Sequence, residues 1–199
     1  VSSNRYNDKS SIYKFDLEEG KETDLIYQHP EVDVYNLIRS TKRKIITGVS
    51  FYTDKNGYDF FDSWRGNLQE NLEKKLPGLE VRISDLSKDE SKAIVVTFSD
   101  RSGGIYYYYD IDKDILTELA NLKPWLNPEH MAKMEPIKYQ SRDGLTIHGY
   151  LTIPVGSNGK NLPVVVNPHG GPWARDRWGF NSEIQYLANK GYAVFQMNF

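Results

Sequence analysis

Cysteine is absent from the 199 residues, which removes disulfides, thiolate nucleophiles, iron–sulfur clusters and Cys-ligated zinc together. Histidine is scarce: His29, His130, His148 and His169 are too scattered in sequence to suggest a metal cage. Neither sign of charge dominates, with 25 Lys and Arg against 27 Asp and Glu, so nucleic acid is not an expected partner. Long hydrophobic runs are missing as well. Stretches such as Val164 to Val166 fall far short of the roughly 18 consecutive apolar residues a membrane helix needs, and no membrane span is expected. No basic segment followed by an apolar one opens the chain, and no Asn-x-Ser/Thr site occurs. A start at Val1 is compatible with a removed targeting segment, so the chain is expected to be soluble in a compartment, cytoplasmic or periplasmic, that stays open.

What is present changes character near residue 130. Residues 1 to 130 carry short runs rich in Tyr, Ile, Val, Phe and Thr, at Ile12 to Leu17, Lys44 to Thr53, Tyr58 to Phe61, Ala93 to Ser99 and Ile105 to Ile111. Gly, Asn, Asp and Lys clusters separate them, which reads as strand, turn, strand throughout. Three runs close on aspartate: Tyr13-Lys14-Phe15-Asp16, Asp59-Phe60-Phe61-Asp62 and Tyr107-Tyr108-Tyr109-Asp110. Asp16 to Asp62 is 46 residues and Asp62 to Asp110 is 48. A period in the forties with several strands per unit is that of β-propeller blades; the alternative is an ordinary antiparallel sandwich. About 130 residues supply fewer than three blades where closed propellers have about four to eight, so the propeller is expected to be incomplete. One insertion breaks the β pattern. Trp64, Leu68, Leu72 and Leu76 recur at helical spacing before Pro77-Gly78, predicting a helix over 64–76 with a narrow apolar stripe.

From residue 131 to 199 the order is strand (136–140), an Asp143-Gly144 turn, strand (145–153), a loop, a fully apolar and buried strand (163–166), a Gly-Pro loop, helix (182–190) capped by Gly191, and strand (192–197). Two strands followed by strand–helix–strand predict an α/β sheet that starts antiparallel and continues parallel. The strand at 163–166 runs into His169-Gly170-Gly171-Pro172. Consecutive glycines let backbone N–H groups turn into the space beyond a strand's carboxyl end, where open α/β sheets bind ligands. Such N–H groups can stabilise an anionic oxygen.

Asp143-Gly144-Leu145-Thr146-Ile147-His148-Gly149-Tyr150-Leu151, then His169-Gly170-Gly171-Pro172, then Asn198-Phe199, all after a β region of propeller-like period, resemble the prolyl oligopeptidase family of serine peptidases, nearest its acylaminoacyl-peptidase and dipeptidyl-peptidase branch. The resemblance implies the C-terminal blades of a β-propeller in 1–130 and the N-terminal part of an α/β-hydrolase domain in 131–199. It implies a Ser-His-Asp triad beyond residue 199, so that these residues alone are inactive. Gly171 would be an oxyanion-hole donor, Gly170 would give the loop its turn, and His169 would occupy a position held elsewhere in the family by an aromatic donor. A tight turn that needs glycine for shape alone is the other reading of the same loop. Short peptides would be the substrates, and the remainder of the polypeptide or a second chain would cover the open sheet edges.

Other constellations lack chemistry. Gly48-Val49-Ser50 runs on in a strand, without the closing glycine of a nucleophile elbow. Ser11-Ile12-Tyr13-Lys14 matches Ser-x-x-Lys inside an alternating strand. Asp110 to Asp114 begins like a calcium loop but has Ile115 and Asn121 where Gly and Glu belong. Trp173, Arg175, Asp176 and Trp178 read as an Arg-Asp pair with packing indoles, and Lys42-Arg43-Lys44 as a solvated hairpin tip. No metal or cofactor is implied. Gly170-Gly171 lacks the third glycine of a dinucleotide fingerprint, and no Gly-Lys-Ser/Thr occurs. The remaining alternatives are a non-catalytic propeller module with a decayed hydrolase tail, and an esterase on the same scaffold.

Overall fold

The computed structural model describes residues 1–171 and 173–199. They are nearly all β, with two α-helices, neither of them long and apolar enough to cross a membrane. Packing divides the chain into compact units, Val1–Lys75 and Leu76–Phe199. The change of sheet type lies elsewhere, within residues 122–133.

In the first unit, β1 (Ser2–Ser3), β2 (Ser11–Asp16) and β3 (Lys21–Tyr27) form one antiparallel sheet, and β4 (Val34–Ser40), β5 (Ile45–Tyr52) and β6 (Asn56–Phe60) a second. Ile12, Val34 and Val49 are wholly buried between them, joined by Tyr27, Leu37 and Phe51. Helix α1 (Ser63–Lys75) follows β6. Of its predicted stripe, Leu68 and Leu72 are buried, but so are Arg65 and Gln69. The Arg65 guanidinium sits 4.9 Å over the Phe60 ring and reaches Gln69 Oε1 at 3.4 Å, so the stripe is flanked by packed polar groups.

The second unit contains a four-stranded meander of β7 (Glu80–Leu86), β8 (Lys92–Phe98), β9 (Ile105–Asp110) and β10 (Ile115–Asn121). Of the tyrosine run only Tyr109 is fully buried, its hydroxyl bonded to Asp114, while the other three rings are half-buried. The aspartate period now has a cause. Asp16 Oδ1 accepts from the amides of Glu18 and Glu19, and Asp110 Oδ1 from that of Lys113, each closing the strand that precedes its sheet's last strand. Asp62 closes β6 likewise, but there α1 follows instead of a strand. Asp62 Oδ1 accepts from Arg65 N–H at 2.9 Å, while its carboxylate takes Arg43 at 2.7 and 2.9 Å. The Lys42-Arg43-Lys44 tip is therefore a hairpin whose central arginine is paired.

The remaining sheet is mixed: β11 (Met134–Gln140), β12 (Thr146–Thr152), β13 (Val164–Val166) and β14 (Ala193–Asn198) lie in the order β11-β12-β14-β13. The first two neighbour pairs are antiparallel and β13 runs parallel to β14 across α2 (Ser182–Asn189). Asn181 caps α2, accepting from Glu183 and Ile184 amides at 2.9 and 3.3 Å. Met134, Tyr150, Trp178, Ile184 and Val194 form its core. Gly149 permits the β12–β14 approach, since a Cβ there would lie 2.4 Å from the Gln196 carbonyl oxygen. The expected buried strand at 163–166 is instead a three-residue edge strand, with Val164 57% and Val166 54% exposed. Val165 pairs with Val194, which packs against Ile184 of α2, while Val164 and Val166 alternate to the opposite, exposed face.

Polar bonds tie the meander to the mixed sheet. Gln185 on α2 accepts from Ala132 N–H at 2.8 Å and donates to the carbonyls of Ala132 and Asp100 at 2.8 and 3.0 Å. Asp100 Oδ2 accepts from Met134 N–H at 2.8 Å, and Trp178 Nε1–H donates to the Met134 carbonyl at 2.8 Å.

Candidate active site

The glycine loop leaves the carboxyl end of β13 beside the carboxyl end of β14. Pairing continues to Asn167, whose N–H donates to Phe195 O at 2.8 Å, and the chain then departs from the sheet. At the loop's entry the His169 ring lies flat on Phe199, centroids 4.5 Å apart and planes 5° apart. His169 Nδ1 is 2.8 Å from Gly170 O. A carbonyl oxygen only accepts, so Nδ1 carries a proton. Nε2 is buried without a partner among the described residues.

Gly170 and Gly171 are exposed, and neither amide makes a hydrogen bond to any described residue. The two glycines differ. A Cβ on Gly171 would come within 3.2 Å of the Trp173 nitrogen and 3.5 Å of the Ala174 nitrogen, whereas one on Gly170 meets nothing within 4 Å. The tight curl is at Gly171, and the Trp173 and Ala174 amides share its face. Pro172, between them, lies outside the described residues.

At the loop's exit the Asn198 side chain reads both sides of one residue. Its Oδ1 accepts from Asp176 N–H at 2.7 Å and its Nδ2 donates to Asp176 O at 3.2 Å. Burial pushes the Asp176 carboxyl above its ordinary range, against the opposing pull of the Gln196 amide and the His169 ring. Asp176 Oδ2 and Gln196 Oε1 are, like His169 Nε2, buried without partners among the described residues.

The other sequence candidates disperse. Trp178 packs in the core as expected, but Trp173 is 97% exposed. Arg175 Nε donates to the Asp176 carbonyl at 3.3 Å. Ser11 is buried, donating to Lys9 O, while Lys14 pairs with Asp24 at 2.9 Å on the other face of β2. Ser50 lies within β5. A cavity of about 420 Å³, lined by Arg101, Lys133, Leu151, Ile153 and Pro154 among others, opens at the end of the mixed sheet away from the loop. Asn198, Asp176 and Gln196 were not singled out as a group by sequence spacing. Only Asn198 belonged to a recognised motif.

No protein-family model matches the chain. Dipeptidyl aminopeptidase BIII of Pseudoxanthomonas mexicana is 30% identical over 203 residues, covering 98% of this chain and 29% of that protein. Dipeptidyl peptidase family member 6 of Caenorhabditis elegans is 24% identical over 216 residues, covering 97% and 29%. In fold, the chain is similar to a prolyl endopeptidase (TM-score 0.69, 14% identity, 100% of this chain and 29% of that one) and to Porphyromonas gingivalis dipeptidyl peptidase 4 (0.62, 14%, 99% and 28%). The antiparallel sheets match the propeller region of such structures. The chain spans less than a third of the length of these proteins. Similar along its whole length to dipeptidyl aminopeptidases in sequence and to prolyl endopeptidases in fold, it belongs to the prolyl oligopeptidase family of peptidases.

Proposed function

We propose that residues 1–199 are part of a serine exo- or oligopeptidase: residues 1–130 the C-terminal blades of its propeller, and 131–199 the opening strands of its α/β-hydrolase domain. In this reading the nucleophilic Ser and its His and Asp partners lie in the natural polypeptide outside these residues. The serine attacks the scissile carbonyl of a short peptide, the histidine takes its proton, and the Gly171 amide with one beside the serine receives the developing oxyanion. Trp173 and Ala174, whose amides crowd Gly171, complete the same electropositive face. The propeller limits which peptides reach the cleft. The rest of the polypeptide, or a second chain, covers β13.

The observation that carries this reading is the pair of exposed, unbonded glycine amides at the carboxyl end of a parallel strand pair. A donor without a resting partner binds an oxyanion with no bond to break first. Fluorophosphonate labelling tests it. The natural polypeptide is expected to label stoichiometrically and only when folded, to hydrolyse short peptides faster than the matching esters of non-peptide acids, and residues 1–199 alone are expected not to label. Failure of the natural polypeptide to label or to hydrolyse peptides overturns the proposal, as does activity-dependent labelling of residues 1–199.

A further inference from the structure

The glycine loop is gripped at both ends by the last residue of β14, Asn198, and the residue after it, Phe199. Phe199 stacks on the His169 ring at the entry, 4.5 Å away, and Asn198 bonds both backbone groups of Asp176 at the exit, at 2.7 and 3.2 Å. Between the grips, the Gly170 and Gly171 amides bond to no described residue. His169 Nε2, Asp176 Oδ2 and Gln196 Oε1 are buried without partners among the described residues, while the Asp176 and Gln196 side chains hydrogen-bond one another. The peptide plane that carries the Gly171 N–H has Gly170 O as its other polar group, held by His169 Nδ1 at 2.8 Å, so its direction is set by the His169 ring at one end of the loop and by what fixes the other end.

The strand that grips is itself firmly held. β14 pairs with β12 on one side, His148 opposite Asn198 and Gly149 opposite Met197, and with β13 on the other. It is an interior strand of its sheet, and the side-chain-free Gly149 brings β12 close against it.

We propose that Asn198 and Phe199 are positioning residues for the peptidase reaction: together they aim the Gly171 amide at the oxyanion, Asn198 with the larger share. The inference rests on the oxyanion reading of this loop. It separates aim from substrate binding, because neither side chain needs to touch the peptide. A misplacement of about 1 Å costs up to about 10²-fold in rate, and complete loss of one oxyanion donor about 10²- to 10³-fold.

The test is kinetic, on the natural polypeptide. Asn198→Ala is expected to lower kcat about 10- to 100-fold with KM within about twofold. It is expected to weaken a peptidyl trifluoromethyl ketone, which forms a tetrahedral oxyanion, by the same factor, and to leave product-peptide inhibition unchanged. Phe199→Ala is expected to lower kcat about 3- to 10-fold, and Phe199→Tyr, which keeps the stacked ring, to restore it. Unchanged kcat and ketone affinity in Asn198→Ala, or a rise in KM with kcat intact, overturns the proposal. Should Asn198→Ala fail to fold, Asn198→Asp keeps the acceptor but turns the donor into a carboxylate oxygen facing the Asp176 carbonyl, and a loss of kcat of about threefold or more decides in its place. If the natural polypeptide neither labels with fluorophosphonate nor cleaves peptides, it is the peptidase reading that has failed. The grip is then read in the natural polypeptide from NMR order parameters of the Gly170 and Gly171 amides, which fall in Asn198→Ala if it aims them and stay unchanged if it does not.

Discussion

The face of the mixed sheet under α2 and the edge formed by β13 are built in opposite ways. Under α2, buried polar groups meet partners across long stretches of chain: Gln185 serves both backbone groups of Ala132 and the Asp100 carbonyl, Asp100 serves Met134, and Trp178 donates to the Met134 carbonyl. At the β13 edge, Val164 and Val166 face outward, and among the described residues two glycine amides are unbonded and three buried polar atoms, His169 Nε2, Asp176 Oδ2 and Gln196 Oε1, have no partner. Unmet hydrogen-bonding capacity is destabilising in a fold and useful at a site of reaction. The saturated face supplies a stiff frame, and the open edge holds the groups with something left to bind.

Substitutions that break the saturated face should cost the most. Trp178→Ala removes a buried indole and orphans the Met134 carbonyl, and a loss of about 3–5 kcal/mol in urea denaturation is expected. Gln185→Leu keeps the volume but leaves one amide and two carbonyls unpaired, with an expected loss of about 2–3 kcal/mol in the same measurement. Equal stability of either variant to the parent would show that the seam does not frame the loop. Alanine at the open edge should matter far less. Gly170→Ala meets open space and is expected to change stability by less than about 0.5 kcal/mol, while Gly171→Ala crowds the Trp173 amide and costs about 1 kcal/mol.

The smallest expected effect is a pH slope. The Asp176 carboxyl is held above its ordinary range chiefly by burial, so the folded state keeps its proton longer than the unfolded chain. Stability is therefore full below the ordinary carboxylate range, near pH 4, and falls as pH rises through the raised folded value. Asp176→Asn should remove that decline in melting temperature as pH rises above the ordinary carboxylate range. Asp62 has the reverse sign. Its hydrogen bonds from Arg43 hold its pKa below the ordinary value, so its contribution is present at neutral pH and lost as pH falls through the lowered value.

How much of this was legible in the sequence follows from where each signal resides. The central strands β2, β5, β8 and β9 stood out by aromatic and β-branched content. Strands β3, β4, β7 and β10, such as Lys-Glu-Thr-Asp-Leu-Ile-Tyr at Lys21–Tyr27, did not, because charged and amide side chains interrupt their apolar residues. The aspartate period pointed to repeating sheets without revealing that Asp16 and Asp110 end the strand before the last of their sheets, whereas Asp62 follows the last strand of its sheet and leads into α1. The strand–helix–strand order predicted the mixed sheet, whereas the exposure of Val164 and Val166 depends on what lies beside β13, which an apolar run does not encode. The glycine loop was readable as a motif. The grip of Asn198 on Asp176, across 22 residues, and of Gln185 on Asp100, across 85, were not, because single polar side chains acquire partners only from the fold.

A crystal structure of the natural polypeptide carrying a tetrahedral peptidyl trifluoromethyl ketone adduct tests the central claim most directly. The account predicts the adduct oxygen about 2.7–3.1 Å from the Gly171 nitrogen, with the Asn198–Asp176 bonds intact. An adduct oxygen held by other donors, with the Gly171 amide turned away from it, would contradict the account.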